Sequence, residues 1–330
     1  MINTGFILGS SVFDVIYGDE ALKAVAPLGR VLGEISTEEL AANPPAWLAE
    51  MEVLFSGWGG PRVDAETIAQ FPKLRAVLYG AGSLRGTVSV ERWPEGIVYC
   101  SAATVNAVPT SEFAFGAILL SFKRAWQHAA ASRKARTFIP HLPLPGGYGS
   151  TVGIASLGQI GRRVAERLRT FDVKVIAYDP FASPAMMAEM GIESCSLEEL
   201  FSRADIVSLH IPLLPETTGI IDGKLLARLK PNATFINTAR GGLVKEPELL
   251  DFLRARPDVQ AILDVTLPEP PPIDSPFWDL PNVFLTPHIA GSLGPECRRM
   301  GAVMIEEFHR FARGEPLRYS VTREQLARMA

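Results

Sequence analysis

The chain has 330 residues, more than one hydrophobic core usually organises, so two domains are expected, each able to bury a sizeable core. With 47% hydrophobic residues and a formal charge of −4 from 32 basic and 36 acidic side chains, the composition excludes a disordered tail and offers nothing basic enough to grip nucleic acid. Cys100, Cys195 and Cys297 are odd in number and far apart, against a disulfide framework or zinc site, and the N-terminus Met1-Ile2-Asn3-Thr4-Gly5 lacks a signal peptide's features; a cytoplasmic protein without membrane contact is expected.

In chain order, short apolar runs at 6–8, 53–55, 76–79 and 97–99 alternate with helical or Pro/Gly-rich stretches, the pattern of a parallel sheet. One long helix is predicted from Pro109 to about Arg136, with Pro109 in its first turn and Glu112 near the positive end of its dipole. Its upstream half is apolar nearly all round, most continuously at 113–122, and must be buried on several sides, between domains or against another subunit. Lys123, Arg124, Arg133, Lys134 and Arg136 read as a solvated face of that helix. Past the Pro-rich loop 140–147, strands are predicted at 151–155, 174–178, 206–209, 234–237, 261–265 and 283–285, with helices at 160–170, 197–202 and 246–256. This is a doubly wound pattern, and a last amphipathic helix at 295–313 is expected to dock on the first domain.

The segment from Thr151 to Arg163 reads as strand, tight turn and helix, the setting of a dinucleotide fingerprint. Gly158 lets backbone approach a pyrophosphate, Gln159 and Ile160 open the helix, and Gly161 permits close helix-to-strand packing. Ser156 stands where the first glycine belongs, which alters the turn. A lone GxxG is commonly a packing detail; Asp179, closing the next strand, raises its meaning. A carboxylate there accepts hydrogen bonds from the adenosine ribose and repels a 2′-phosphate, so NAD is expected rather than NADP.

Three polar clusters fall at later strand ends: Asn237-Thr238-Ala239-Arg240-Gly241-Gly242, Asp264-Val265-Thr266-Leu267-Pro268-Glu269-Pro270 and Leu285-Thr286-Pro287-His288-Ile289-Ala290-Gly291-Ser292. Reduction of a 2-oxo acid needs a fixed cation to hold the carboxylate and polarise the carbonyl, and an acid to protonate its oxygen. Arg240 suits the first task through bidentate binding, and His288 the second, with Glu269 fixing its tautomer. Asp264 is placed to hold the nicotinamide carboxamide. Alone, each of these is an ordinary turn or surface residue; together, downstream of a nucleotide fingerprint, they read as one catalytic set.

These three clusters, with Val207-Ser208-Leu209-His210-Ile211-Pro212-Leu213, resemble the signatures of the D-isomer-specific 2-hydroxyacid dehydrogenases. The resemblance implies an α/β fold of two doubly wound domains: a flavodoxin-like substrate domain at 1–103 plus 296–330, and a Rossmann NAD-binding domain at 104–295. It implies that Arg240, Glu269 and His288 are catalytic, and that His210, Pro212, Thr238, Ala239, Asp264 and the turn His288 to Gly291, Ala290 included, contact the cofactor. It also implies a homodimer built partly on 109–136, acting on a small 2-oxo or 2-hydroxy acid of the hydroxypyruvate or glyoxylate type. The substrate loop falls at Tyr79 to Gly86, with Ala81, Gly82, Ser83 and Arg85 facing substrate. Here Ser83, Leu84 and Arg85 depart from the family pattern, and Arg85 either binds a second anionic group or points into solvent. With the sequence ending near residue 330, the regulatory extension of longer phosphoglycerate dehydrogenases is not expected. A nicotinamide-sensing corepressor with the same fold and triad is the alternative of another class; formate dehydrogenase, with glutamine in place of the glutamate, is disfavoured by Glu269.

Overall fold

The computed structural model describes residues 1–329 and divides them into two compact α/β units. One comprises Met1–Ala107 and the chain from Ser292 onward; the other is Val108–Gly291. The division falls four residues past the expected 103/104 boundary and four before 295/296, the first crossing lying inside the helix Ala103–Ser121.

In the first unit, β1 (Ile2–Leu8), β2 (Gly29–Ser36), β3 (Val53–Ser56), β4 (Ala76–Tyr79) and β5 (Val98–Ser101) pair in parallel in the order 2-1-3-4-5, the flavodoxin-like order. A short strand Ser320–Val321 adds to β5 antiparallel, Ser320 opposite Cys100. Side chains alternate between two cores, as a period of two requires: Phe6, Phe55 and Leu78 face Met300, Met304 and Phe308 of the helix Pro295–Arg313, whereas Ile7, Leu54 and Val77 face the other way. β2 has no counterpart in the sequence prediction: it is a half-exposed edge strand starting on Gly29 and interrupted by Gly33, so it lacks a continuous apolar run.

In the second unit, β6 (Thr151–Ala155), β7 (Lys174–Tyr178), β8 (Glu193–Ser194), β9 (Ile206–Leu209), β10 (Thr234–Asn237), β11 (Gln260–Leu263) and β12 (Val283–Leu285) form one parallel sheet. Their spatial order is β8-β7-β6-β9-β10-β11-β12, a Rossmann arrangement with the order reversing between β6 and β9. Val207, Phe235 and Leu263 fill the core on one face; Val152, Ile154, Ile236 and Ile262 fill the other.

The predicted helix at 109–136 is corrected in three respects. It begins earlier, at Ala103, whose N–H is accepted by Ser101 Oγ at 3.0 Å, so Pro109 lies inside the helix rather than in its first turn. Glu112 is then far from the dipole end and pairs instead with Arg167 at 3.1 Å. The helix also breaks after Ser121 and resumes as Ala125–Ala135, because Arg124 takes a left-handed φ of 47°. Arg124 is not on a solvated face: it is 3% exposed and donates to Pro143 O and Asn232 Oδ1 at 3.0 Å, with further bonds to Gln127 and Asp258. Ala103–Ser121 is the one helix among the described residues long and apolar enough to cross a membrane, and 39% of its most apolar stretch is buried in this chain.

Candidate active site

β10, β11 and β12 are neighbours, so the three polar clusters that follow them emerge side by side at the carboxyl edge of the second sheet. The first turn is fixed by Asn237, 1% exposed, whose Oδ1 accepts from Ala239 N at 3.0 Å while Nδ2 donates to Arg240 O at 2.9 Å. Arg240 is half-buried and donates from Nη1 to Ala239 O at 2.6 Å; burial pulls its pKa down and the charge of Glu269 opposes that. Gly241 lies so close to the next loop that a Cβ there would stand 2.1 Å from the Thr266 carbonyl carbon. That loop is tied down by Leu267 N donating to Glu246 Oε2 at 2.9 Å, and burial raises the Glu246 carboxyl. Its far end presents Glu269, whose Oε1 lies 2.6 Å from His288 Nδ1, with both side chains open to solvent at 40% and 47%. A carboxylate only accepts, so Nδ1 carries a proton and Nε2 is the nitrogen left to exchange one with a substrate.

His288 has a φ of 54°, a left-handed conformation that costs a non-glycine residue roughly 1–3 kcal/mol unless its surroundings impose it. Asp264 imposes it. Its carbonyl accepts from His288 N at 3.0 Å, Oδ1 from Thr286 Oγ1 at 2.6 Å and Ile289 N at 2.9 Å, and Oδ2 from Ala290 N at 2.9 Å. Asp264, 1% exposed, thus positions the histidine turn, and its three side-chain donors leave one of about four acceptor positions open. Ala290, 2% exposed, donates its N–H to Asp264, and Gly291 ends the unit beside it.

The donor set at the order reversal fits a dinucleotide. Gly158 caps the ten-residue helix Gln159–Leu168, and a Cβ built on it would meet nothing within 4 Å, so the helix N-terminus is open to an anion. Gly161 is the packing glycine, since a Cβ there would stand 2.0 Å from Ser156 O. Gln159 is exposed and accepts from Arg163 Nη1, while Ile160 packs into the core. Thr238 Oγ1 at the end of β10 and His210 Nδ1 at the end of β9 are buried and lack hydrogen-bond partners among the described residues, which suits polar atoms awaiting a ligand. His210 Nε2 lies 3.1 Å from Ser208 Oγ, and burial pulls the imidazole pKa down to about 4, so this histidine is neutral at physiological pH. Pro212 turns the chain, its carbonyl accepting from Thr217 Oγ1 at 2.6 Å. Ser156 takes a φ of 80°, the left-handed backbone a glycine would adopt freely, and its hydroxyl donates to Asp179 Oδ2 at 3.3 Å.

In the first unit, Ser101 Oγ donates to Gly82 O at 2.5 Å, Ala81 is fully buried, and Ser83 Oγ accepts from Arg85 N at 3.3 Å. Arg85 does not simply point into solvent. Its guanidinium caps the helix Arg323–Ala327, donating to Met329 O at 2.7 Å, Ala327 O at 3.0 Å and Leu326 O at 3.2 Å. Sequence reasoning also passed over Asn237, Thr286 and Glu246; the first two stood inside the quoted clusters, but only a residue's partners reveal a positioning role.

A family model for the D-isomer specific 2-hydroxyacid dehydrogenase NAD binding domain matches residues 116–290. D-3-phosphoglycerate dehydrogenase of Mycobacterium tuberculosis is 38% identical over 255 residues, 77% of this chain and 48% of that protein, so the chain spans about half the length of such relatives. Glyoxylate reductase of Korarchaeum cryptofilum is 33% identical over 257 residues, 77% of each chain. Among solved structures, an NADPH-dependent glyoxylate/hydroxypyruvate reductase of Sinorhizobium meliloti, in complex with NADP and sulfate, superposes with a TM-score of 0.77 at 25% identity, covering 99% of this chain and all of the other. With the fold, the paired Glu269 and His288 and the open helix N-terminus at Gly158, these matches establish that the chain belongs to the D-isomer specific 2-hydroxyacid dehydrogenase family, an NAD(P)-linked oxidoreductase family.

Proposed function

We propose that this chain reduces a short 2-oxo acid of the hydroxypyruvate or glyoxylate type to the D-2-hydroxy acid, reversibly, with NADH. The observation that carries the reading is the 2.6 Å contact between His288 Nδ1 and Glu269 Oε1. When held by the fingerprint turn, NADH would supply a hydride for the carbonyl carbon. Arg240 holds the substrate carboxylate and polarises the carbonyl, a task suited to a guanidinium that stays charged despite burial. His288 gives its Nε2 proton to the carbonyl oxygen and is left neutral, while Glu269 keeps the ring oriented through Nδ1. Ala81, Gly82 and Ser83 bind the substrate through a loop that Ser101 holds in place.

Gly158, Gln159, Ile160 and Gly161 hold the pyrophosphate, and Thr238, Ala239, His210 and Pro212 line the nicotinamide side. Asp179 supports NAD over NADP by repelling a 2′-phosphate. The protein works in the cytoplasm, in keeping with its free cysteines, as a homodimer that covers the half-exposed apolar helix Ala103–Ser121. The test is a panel of 2-oxo acids mixed with NADH and followed by loss of reduced-nicotinamide absorbance. Turnover of glyoxylate or hydroxypyruvate supports the reading; cofactor binding with no turnover of any acid refutes it and favours the sensor.

A further inference from the structure

Resting on the NAD reading above, we infer that Ser156 is a specificity-determining residue that weakens ribose recognition by occupying Asp179. A carboxylate has about four acceptor positions. In Asp179 the protein fills them all: Oδ1 accepts from Phe181 N at 2.7 Å and Ala182 N at 2.9 Å, and Oδ2 from Leu157 N at 2.7 Å and Ser156 Oγ at 3.3 Å. Three of these donors are backbone amides fixed by the turn. The fourth is a hydroxyl on a rotatable side chain, at the longest of the four distances, so it is the donor that a ribose hydroxyl displaces. Exchange of one hydrogen bond for another gains little, so recognition of the unphosphorylated ribose is attenuated relative to a site with a glycine at position 156.

The position reinforces the argument. Ser156 holds a φ of 80° at the first fingerprint site, where a serine is strained and a glycine is not, so the hydroxyl is present at a conformational cost.

The test measures dissociation constants of NADH and NADPH by fluorescence titration of apoprotein, for the wild type, Ser156→Ala and Ser156→Gly, each also in an Asp179→Ala background, with a thermal melt of every variant. Ser156→Ala keeps the backbone strain and removes the hydroxyl; Ser156→Gly removes both. Both are expected to raise the ratio of NADPH to NADH dissociation constants by about tenfold, the worth of one charge-assisted hydrogen bond, and to lose that effect without Asp179. Ser156→Gly is expected to melt no lower than Ser156→Ala. An unchanged or reduced ratio in folded Ser156→Ala overturns the inference, as does an effect that persists in the Asp179→Ala background. Failure of the underlying NAD reading is distinguishable: Asp179→Ala alone would then leave the ratio unchanged.

Discussion

Asp264→Asn tests the division of labour in the site. The substitution keeps shape but replaces one acceptor oxygen by an NH2 group. The carboxylate receives three donors, Thr286 Oγ1, Ile289 N and Ala290 N, at 2.6 to 2.9 Å in a place 1% exposed. Asn retains one oxygen, so at least one donor is left facing another donor, at a cost of about 2 kcal/mol for a buried unmade bond to a formerly charged group. For a domain of this size that corresponds to a fall in Tm of about 4–8 °C. Because the same three bonds hold His288 at its φ of 54°, the histidine loses its imposed geometry, and kcat is expected to fall at least about tenfold. NADH affinity, measured by fluorescence titration, should change less than about twofold, since three of the carboxylate's acceptor positions serve the histidine turn. A loss of NADH affinity as large as the loss of kcat, with Tm unchanged, would refute the positioning role and favour carboxamide binding.

Two further expectations concern groups outside the catalytic trio. Arg85→Ala removes three donors from the carbonyls at 326–329, so hydrogen exchange of the helix Arg323–Ala327 should accelerate strongly while the second unit exchanges as before; unchanged protection would show that this cap contributes nothing. Burial depresses the folded-state pKa of His210 from its ordinary 6.5 to about 4, so the unfolded chain takes up a proton first as pH falls. Stability should therefore be unaffected above pH 6.5 and decline between there and about pH 4, by on the order of 3 kcal/mol. In His210→Asn that part of the acid sensitivity should vanish from urea midpoints measured across the window; identical pH profiles would contradict it.

What the sequence disclosed followed from physical period and local chemistry. Central strands such as β3 and β10 are buried on both faces and read as continuous apolar runs, whereas β2, at an edge with Gly29 and Gly33, carries no such run. The polar clusters were legible because each closes a strand, and strand ends collect ligands in sheets of this kind. The partners of single side chains were not. Arg85 and Met329 are joined across nearly the whole chain, and Arg124 reads as a surface cation until the fold brings Asn232 and Pro143 to it. Asp264 belongs to the same class: its residue type at a strand end suits ligand binding or loop anchoring, and only its hydrogen bonds reveal the anchoring.

The central claim is that His288 moves the proton while the cofactor is bound elsewhere in the same unit. The most direct measurement compares wild type and His288→Ala for steady-state oxidation of NADH by glyoxylate and hydroxypyruvate, with NADH dissociation constants taken on the same samples. A fall in kcat of about a hundredfold or more, with NADH affinity within about twofold, is the predicted result. Equal losses of turnover and cofactor affinity, or turnover that survives the substitution, would contradict it.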